Sequence, residues 1–181
     1  MKPPPRPSSD FPAFSHTASS PTANPAAVTL VTDDGFPLAG SRWLADGAAR
    51  GVVLIAPATG APQQVYLRFA EFLAGQGFDT LTWDWRGIGG SMLEGSFRDP
   101  RLTMRAWGEQ DLATAIAWAQ RRRPSVPIHL VGHSFGGQAL GLAPNSGAVT
   151  SAVLVAAQHG WLGHWPWRHR VPLHLLWRLV M

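Results

Sequence analysis

Val126-Pro127-Ile128-His129-Leu130-Val131-Gly132-His133-Ser134-Phe135-Gly136-Gly137-Gln138 is the stretch that decides the fold. Val126 to Val131 is an almost unbroken apolar run and reads as a buried strand; a short helix follows Gly136 and ends near Pro144. Ser134 stands where strand turns into helix, at the centre of a Gly-x-Ser-x-Gly pattern. Such a turn lifts the serine hydroxyl above the sheet and strains its backbone. Gly132 and Gly136 are needed there because side chains would collide with neighbouring backbone. The Phe135 N–H, opening the helix, then faces the oxyanion that develops on a reacting carbonyl. The five-residue pattern is weak by itself. Its place between a strand and a helix makes Ser134 a candidate nucleophile and not an incidental serine in a glycine-rich turn.

Outward from that turn, the chain alternates strand and helix signals. Residues 1–27 are rich in Pro, Ser, Ala and Thr without any period, and read as a disordered tail. A strand is expected from Val28 to Val31, then the turn Asp33-Asp34-Gly35, then a second strand from Leu38 to Leu44, together a hairpin. Gly51 to Ala56 is apolar throughout, as in a strand covered on both faces. Val65, Phe69, Phe72 and Leu73 fall at helical spacing before Gly75 and Gly77. Phe78 to Trp83 reads as a strand, Met104 to Arg122 as a long helix with Trp107, Leu112, Ile116 and Ala119 inward, and Ala152 to Ala156 as the last strand. The expected fold class is α/β: a mostly parallel sheet with an N-terminal β-hairpin and crossover helices, its core spanning 28–158.

Composition narrows the function. The 181 residues are 45% hydrophobic and 14% charged, with 19 Gly and 16 Pro, fitting one globular domain with many tight turns. The net charge of +4 comes from scattered basic residues, and the run Arg121-Arg122-Arg123 closes a helix, where cations are favoured. Nucleic acid is therefore not an expected partner. With no cysteine, disulfides and thiolate metal sites are excluded. No apolar stretch reaches the ~20 residues needed to span a bilayer, so stable membrane insertion is not expected. The proline-rich start lacks a signal-peptide core, which makes a cytoplasmic location the default.

Three stretches together identify a relative. Ala58-Thr59-Gly60-Ala61-Pro62-Gln63, Asp84-Trp85-Arg86-Gly87-Ile88-Gly89-Gly90-Ser91 and Val131 to Gln138, in that order and spacing, resemble the α/β-hydrolase superfamily, and within it a bacterial group of hydrolases. The resemblance implies Ser134 as nucleophile, with Phe135 and the loop Thr59–Ala61 around an oxyanion hole. A backbone N–H of Ala61 or Gly60 is the second donor expected. The superfamily most often has His at the Thr59 position, so this loop departs from it, although donation comes from backbone. The resemblance also gives Asp84 and Arg86 a structural role, holding the glycine-rich turn beside the site. Thr59, His133 and Trp161 are candidates for touching substrate, and His133 is a packing residue before it is a base.

A serine hydroxyl needs a base and the base needs an acid, in the chain order Ser, Asp or Glu, His. No Asp or Glu follows Asp111. The fold is therefore expected to be incomplete at the C-terminus, with acid and base in a missing region. Residues 159–181, bearing Trp161, Trp165, Trp167 and Trp177, read as the start of a Trp/His-rich helical cap. His159 or His164 is the competing base, with an acid from upstream. His159, His164, His169 and His174 are spaced by five, which rotates around a helix, so no metal site is expected. The expected reaction is hydrolysis of a small-molecule ester with an apolar part through an acyl-enzyme, without a cofactor. The alternative is a non-catalytic binding protein of the same fold, or an inactive fragment.

Overall fold

Two hydrophobic periods alternate along the chain, and each becomes an element in a computed structural model that describes residues 25–45, 47–95, 98–157, 163 and 165–180. Strands β1 (Ala26–Val31) and β2 (Pro37–Trp43) form the hairpin, with Gly35 at φ 76 in its turn. Strand β3 (Val52–Ala56) leads through a 3-10 turn, Gln63–Tyr66, into helix α1 (Leu67–Gly75) and strand β4 (Asp79–Trp83). A continuous helical run follows: α2 (Met104–Ala106), a π-helical stretch Trp107–Leu112, and α3 (Ala113–Arg122). Strand β5 (Ile128–His133), helix α4 (Phe135–Gln138), strand β6 (Val149–Val155) and helix α5 (Trp167–Val180) complete the order. Among the described residues, no helix is long and apolar enough to cross a membrane.

The strands form one sheet in the order β1-β2-β4-β3-β5-β6. β1 and β2 are antiparallel to their neighbours, while β4, β3, β5 and β6 run parallel. Alternation along β3 supplies two cores. Val52, Leu54 and Ala56 join Leu81, Trp83, Leu112 and Ile116 on one face, whereas Val53 and Ile55 join Trp43, Tyr66, Ala70 and Ala74 on the other. From β3 the chain crosses to β4 on one side and then to β5 on the other. The carboxyl ends of β3 and β5 therefore flank a topological switch point, where open α/β sheets bind ligands.

Several boundaries differ from those expected. β1 begins at Ala26, inside the stretch assigned to the tail, because the backbone ladder continues to Arg42. β5 starts at Ile128 and not Val126, since Pro127 has no N–H for the ladder, although its carbonyl accepts Val52 N–H at 2.9 Å. β6 begins at Val149, not Ala152; its polar first residues are tolerated at an edge where Val153, Leu154 and Val155 also stay exposed. The α1 region buries Tyr66 and the small residues Ala70 and Ala74, and leaves Val65, Phe69 and Phe72 exposed. Alanines bring the helix close enough for Thr80 Oγ1 to donate to Ala70 O at 3.1 Å.

Arg86, 1% exposed, organises the opposite face. Its Nε donates to Asp111 Oδ1 at 2.7 Å and its Nη1 to Asp34 Oδ2 at 2.7 Å, with the guanidinium 5.0 Å from the centre of the Phe36 ring. These contacts tie the β1–β2 turn to the π-helical stretch. The Arg86 hydrogen bond holds the Asp34 carboxyl down at about 2, whereas burial pushes the Asp111 carboxyl up to about 6 against the pull of Arg86. Without Asp111 the buried Arg86 keeps Asp34 but its Nε and backbone N–H lose their acceptor, so Asp111→Ala is expected to lower stability by about 3 kcal/mol in urea unfolding. Arg105→Ala, breaking an exposed pair with Glu109, is expected to cost at most about 0.5 kcal/mol. Because the folded pKa of Asp34 lies below its ordinary 3.8, its contribution is present above that pH and is lost as pH falls through about 2. Asp34→Asn is expected to flatten that part of the stability–pH curve.

Candidate active site

The turn after β5 has the geometry its sequence demands. Ser134 adopts φ 51 and ψ −117, a conformation that costs an L-residue about 1–3 kcal/mol and persists only where surroundings impose it. Two hydrogen bonds impose it: Ser134 N–H donates to Val155 O at 2.8 Å, and Gly137 N–H to Ser134 O at 3.1 Å. The flanking glycines leave no room for anything larger. A Cβ on Gly136 would lie 2.2 Å from Ala56 O, and one on Gly132 would lie 2.5 Å from Gly137 Cα. Gly136 thus lets the turn rest directly on the carboxyl end of β3. Phe135, half-buried, opens α4, and its N–H has no protein partner among the described residues.

The loop after β3 lies across the switch point. Ala58 O accepts Ala61 N–H at 3.1 Å, closing a turn whose third residue, Gly60, has φ 71. That is a type II turn, which glycine makes without strain. The Ala61 N–H thus has a partner inside the turn. Thr59 and Gly60 are exposed, and their N–H groups have no partner among the described residues.

His133, half-buried, places Nδ1 2.9 Å from the Tyr66 hydroxyl, which also accepts Ala58 N–H at 2.9 Å. Burial raises the Tyr66 phenol above its ordinary pKa, with the Ala58 N–H pulling the other way. Tyr66 was not singled out in the sequence; as the chain's one tyrosine, four residues beyond the Ala58–Pro62 loop, it offered a signal. Trp161, His159 and His164 lie outside the described residues.

Asp84 is fully buried and holds the neighbouring loop. It accepts Gln63 N–H at 2.6 Å and Gly90 N–H at 2.9 Å, and a Cβ on Gly89 would meet its carboxylate at 2.7 Å. Arg86 points away from that turn into the pair with Asp34 and Asp111. The remaining buried carboxylate, Asp79, takes Ala45 N–H at 2.9 Å and Arg123 Nε at 2.7 Å. Each buried acid is thus committed elsewhere, and among the described residues no histidine is paired with a carboxylate. An aromatic chain links this region to the serine turn. Trp85 stacks on Trp107 at 5.6 Å, and Trp107 meets the Phe135 ring edge-on at 5.6 Å.

A strained serine between close-packed glycines, at a switch point of a parallel sheet, matches a family model described as serine aminopeptidase S33, over residues 47–179. The chain belongs to that family of hydrolases. Its fold is that of α/β hydrolases of known structure. The S33-family chain aligns with a thermostable carboxyl esterase from Bacillus coagulans at 19% identity and TM-score 0.62, covering 74% of this chain and 44% of that one. An α/β hydrolase, GrgF, from Penicillium sp. sh18 aligns at 27% identity and TM-score 0.65, covering 86% and 53%. A serine hydrolase without lid from Xanthomonas campestris aligns at 23% identity and TM-score 0.60, covering 78% and 64%. The chain spans between 44% and 64% of the length of these three. No curated protein matches it in sequence.

Strain and crowding make separable expectations. Glycine relieves the Ser134 conformation and alanine does not, so Ser134→Gly is expected to be about 1 kcal/mol more stable than Ser134→Ala in urea unfolding. Gly136→Ala drives a methyl into the β3 carboxyl end and is expected to abolish the cooperative unfolding transition, as followed by circular dichroism.

Proposed function

We infer that this S33-family chain carries the nucleophile of a serine hydrolase acting on small-molecule esters through an acyl-enzyme. The observation that carries the reading is Ser134 at φ 51, a strained serine between glycines that admit no side chain. In this reading Ser134 Oγ passes its proton to the base as it adds to the ester carbonyl, the carbonyl π pair becomes the oxyanion, and collapse expels the alcohol, which takes that proton, leaving an acyl-enzyme that water hydrolyses. The Phe135 N–H is one oxyanion donor, because the helix leaves it without a partner. The second comes from Thr59 or Gly60, whose N–H groups stay free where that of Ala61 does not. Base and acid come from outside residues 25–157, since the buried carboxylates there are committed to arginines and backbone N–H groups. The share of the esterase and other hydrolase structures that the chain leaves uncovered is room enough for them. Helix α5 serves as part of a cap, its exposed Trp167, Val171 and Leu175 offering an apolar surface for an acyl or alkyl group.

A competing reading, a non-catalytic member that only binds, gives no reason to maintain the strain at Ser134. A fluorophosphonate probe followed by peptide mapping separates the two. The protein at its full natural length is expected to be labelled at Ser134, with labelling lost in Ser134→Ala. A folded protein that fails to label, or labels equally after that substitution, contradicts the reading. Residues 1–181 alone are expected to turn over p-nitrophenyl esters negligibly.

A further inference from the structure

We propose that Tyr66 is a positioning residue whose single phenol oxygen locks the loop after β3 to the serine turn after β5, setting where the second oxyanion donor stands. The proposal rests on the reading of Ser134 as nucleophile. Its geometry comes from four hydrogen bonds, three of which end on Pro57 and Ala58 and the fourth on His133.

The Pro57–Ala58 peptide is held from both sides. Trp85 Nε1 donates to Pro57 O at 3.0 Å, and the Ala58 N–H of the same peptide donates to the Tyr66 hydroxyl at 2.9 Å. The next peptide is fixed by its carbonyl, since Ala58 O accepts Ala61 N–H at 3.1 Å. Because a trans peptide is planar, with N–H and C=O opposed, Thr59 N–H must point out of the turn that Ala58 O closes. The direction of Thr59 N–H is therefore set by the turn that Ala58 O closes, and Tyr66 is one of the two side chains that hold the peptide from which that turn starts.

The phenol has a second engagement, with Nδ1 of His133 at 2.9 Å, and the two rings meet edge-on at 6.0 Å. His133 immediately precedes Ser134, so this contact ends on the turn itself. In this proposal the phenol serves as acceptor on one side and donor on the other. The phenol oxygen receives Ala58 N–H, and its one proton goes to Nδ1, which leaves the His133 proton on Nε2. A phenol is protonated at neutral pH and burial raises its pKa further, so the donor proton is present there. Trp85 reaches only the β3 loop, whereas Tyr66 spans both. Tyr66 belongs to the same buried cluster as Val53, Ile55, Ala70 and Ala74, so its hydroxyl is delivered from the core.

Tyr66→Phe keeps the ring and removes the hydroxyl, which separates positioning from packing. Three measurements on the protein at its full natural length read the consequences: the His133 tautomer by nitrogen NMR, the exchange rate of the Ala58 amide, and the affinity of butylboronic acid, whose adduct with Ser134 is a tetrahedral anion. In the wild type the proton of His133 is expected on Nε2. In Tyr66→Phe both tautomers are expected, with Ala58 exchange about tenfold faster and boronate binding about tenfold weaker, the size of one misplaced hydrogen bond. A simple packing role would move the melting temperature and leave the tautomer and the boronate affinity unchanged; that result overturns the proposal. Should Tyr66→Phe fail to fold, His133→Ala removes the other end of the same contact and is expected to weaken boronate binding to a similar extent; unchanged affinity there overturns the proposal equally. Ser134→Ala keeps the two failures apart. Boronate binding that survives in Ser134→Ala refutes the nucleophile and leaves the tautomer and exchange results to decide the lock.

Discussion

A serine at φ 51 between Gly132 and Gly136 is the constraint from which the rest of the architecture follows. The turn needs the carboxyl end of β3 within 2.2 Å of where a Gly136 side chain would begin, so β3 and β5 must be neighbours. Neighbouring parallel strands need a crossover. Here β4 is placed on the far side of β3 before the chain returns through the α2–α3 run to β5. That order makes the switch point, and the switch point brings the Thr59–Ala61 loop beside the serine. Val155 O, accepting Ser134 N–H, then ties the turn to β6 as well. Site and sheet are one construction.

The polar interior serves the same end. Asp84 gathers Gln63 N–H and Gly90 N–H, fixing the helical turn that follows the Thr59–Ala61 loop against the glycine-rich segment after β4. Arg86, two residues on, pulls that segment toward the β1–β2 turn and the π-helical stretch through Asp34 and Asp111. Between them lies Trp85, which holds Pro57 O by its indole N–H and stacks on Trp107, itself in contact with Phe135. A buried ion pair adds little net stability, but it leaves few alternative arrangements for the loops it joins. In this protein the loops so joined stand behind the serine turn, in contact with it through Trp107 and Phe135.

What the sequence made legible was the part governed by local rules. Gly132, Ser134 and Gly136 between an apolar run and a helix are enough to read the turn, and apolar β3 between turn signals is enough to read a covered strand. The sequence could not reveal which N–H of the Thr59–Ala61 loop stays free, because that depends on a turn type set by Gly60 and by partners distant in the chain. Tyr66 was missed for the same reason: its partners Ala58 and His133 meet only through the sheet. Size misled at α1, where large Val65, Phe69 and Phe72 face outward and small Ala70 and Ala74 pack on the strands. Hydrophobicity sets which residues prefer burial, but the close approach of helix to sheet sets which ones fit. The acid stayed unread because no Asp or Glu follows Asp111, and of the candidate bases His159 and His164 lie outside the described residues.

The most direct measurement is a crystal structure of the protein with a phosphonate bound covalently. The account requires phosphorus on Ser134 Oγ, with Ser134 still at positive φ. It also requires the phosphoryl oxygen at about 2.7–3.1 Å from Phe135 N and from either Thr59 N or Gly60 N, the range of working oxyanion donors. An adduct on another residue, a Ser134 relaxed to negative φ, or a phosphoryl oxygen turned to solvent would contradict it.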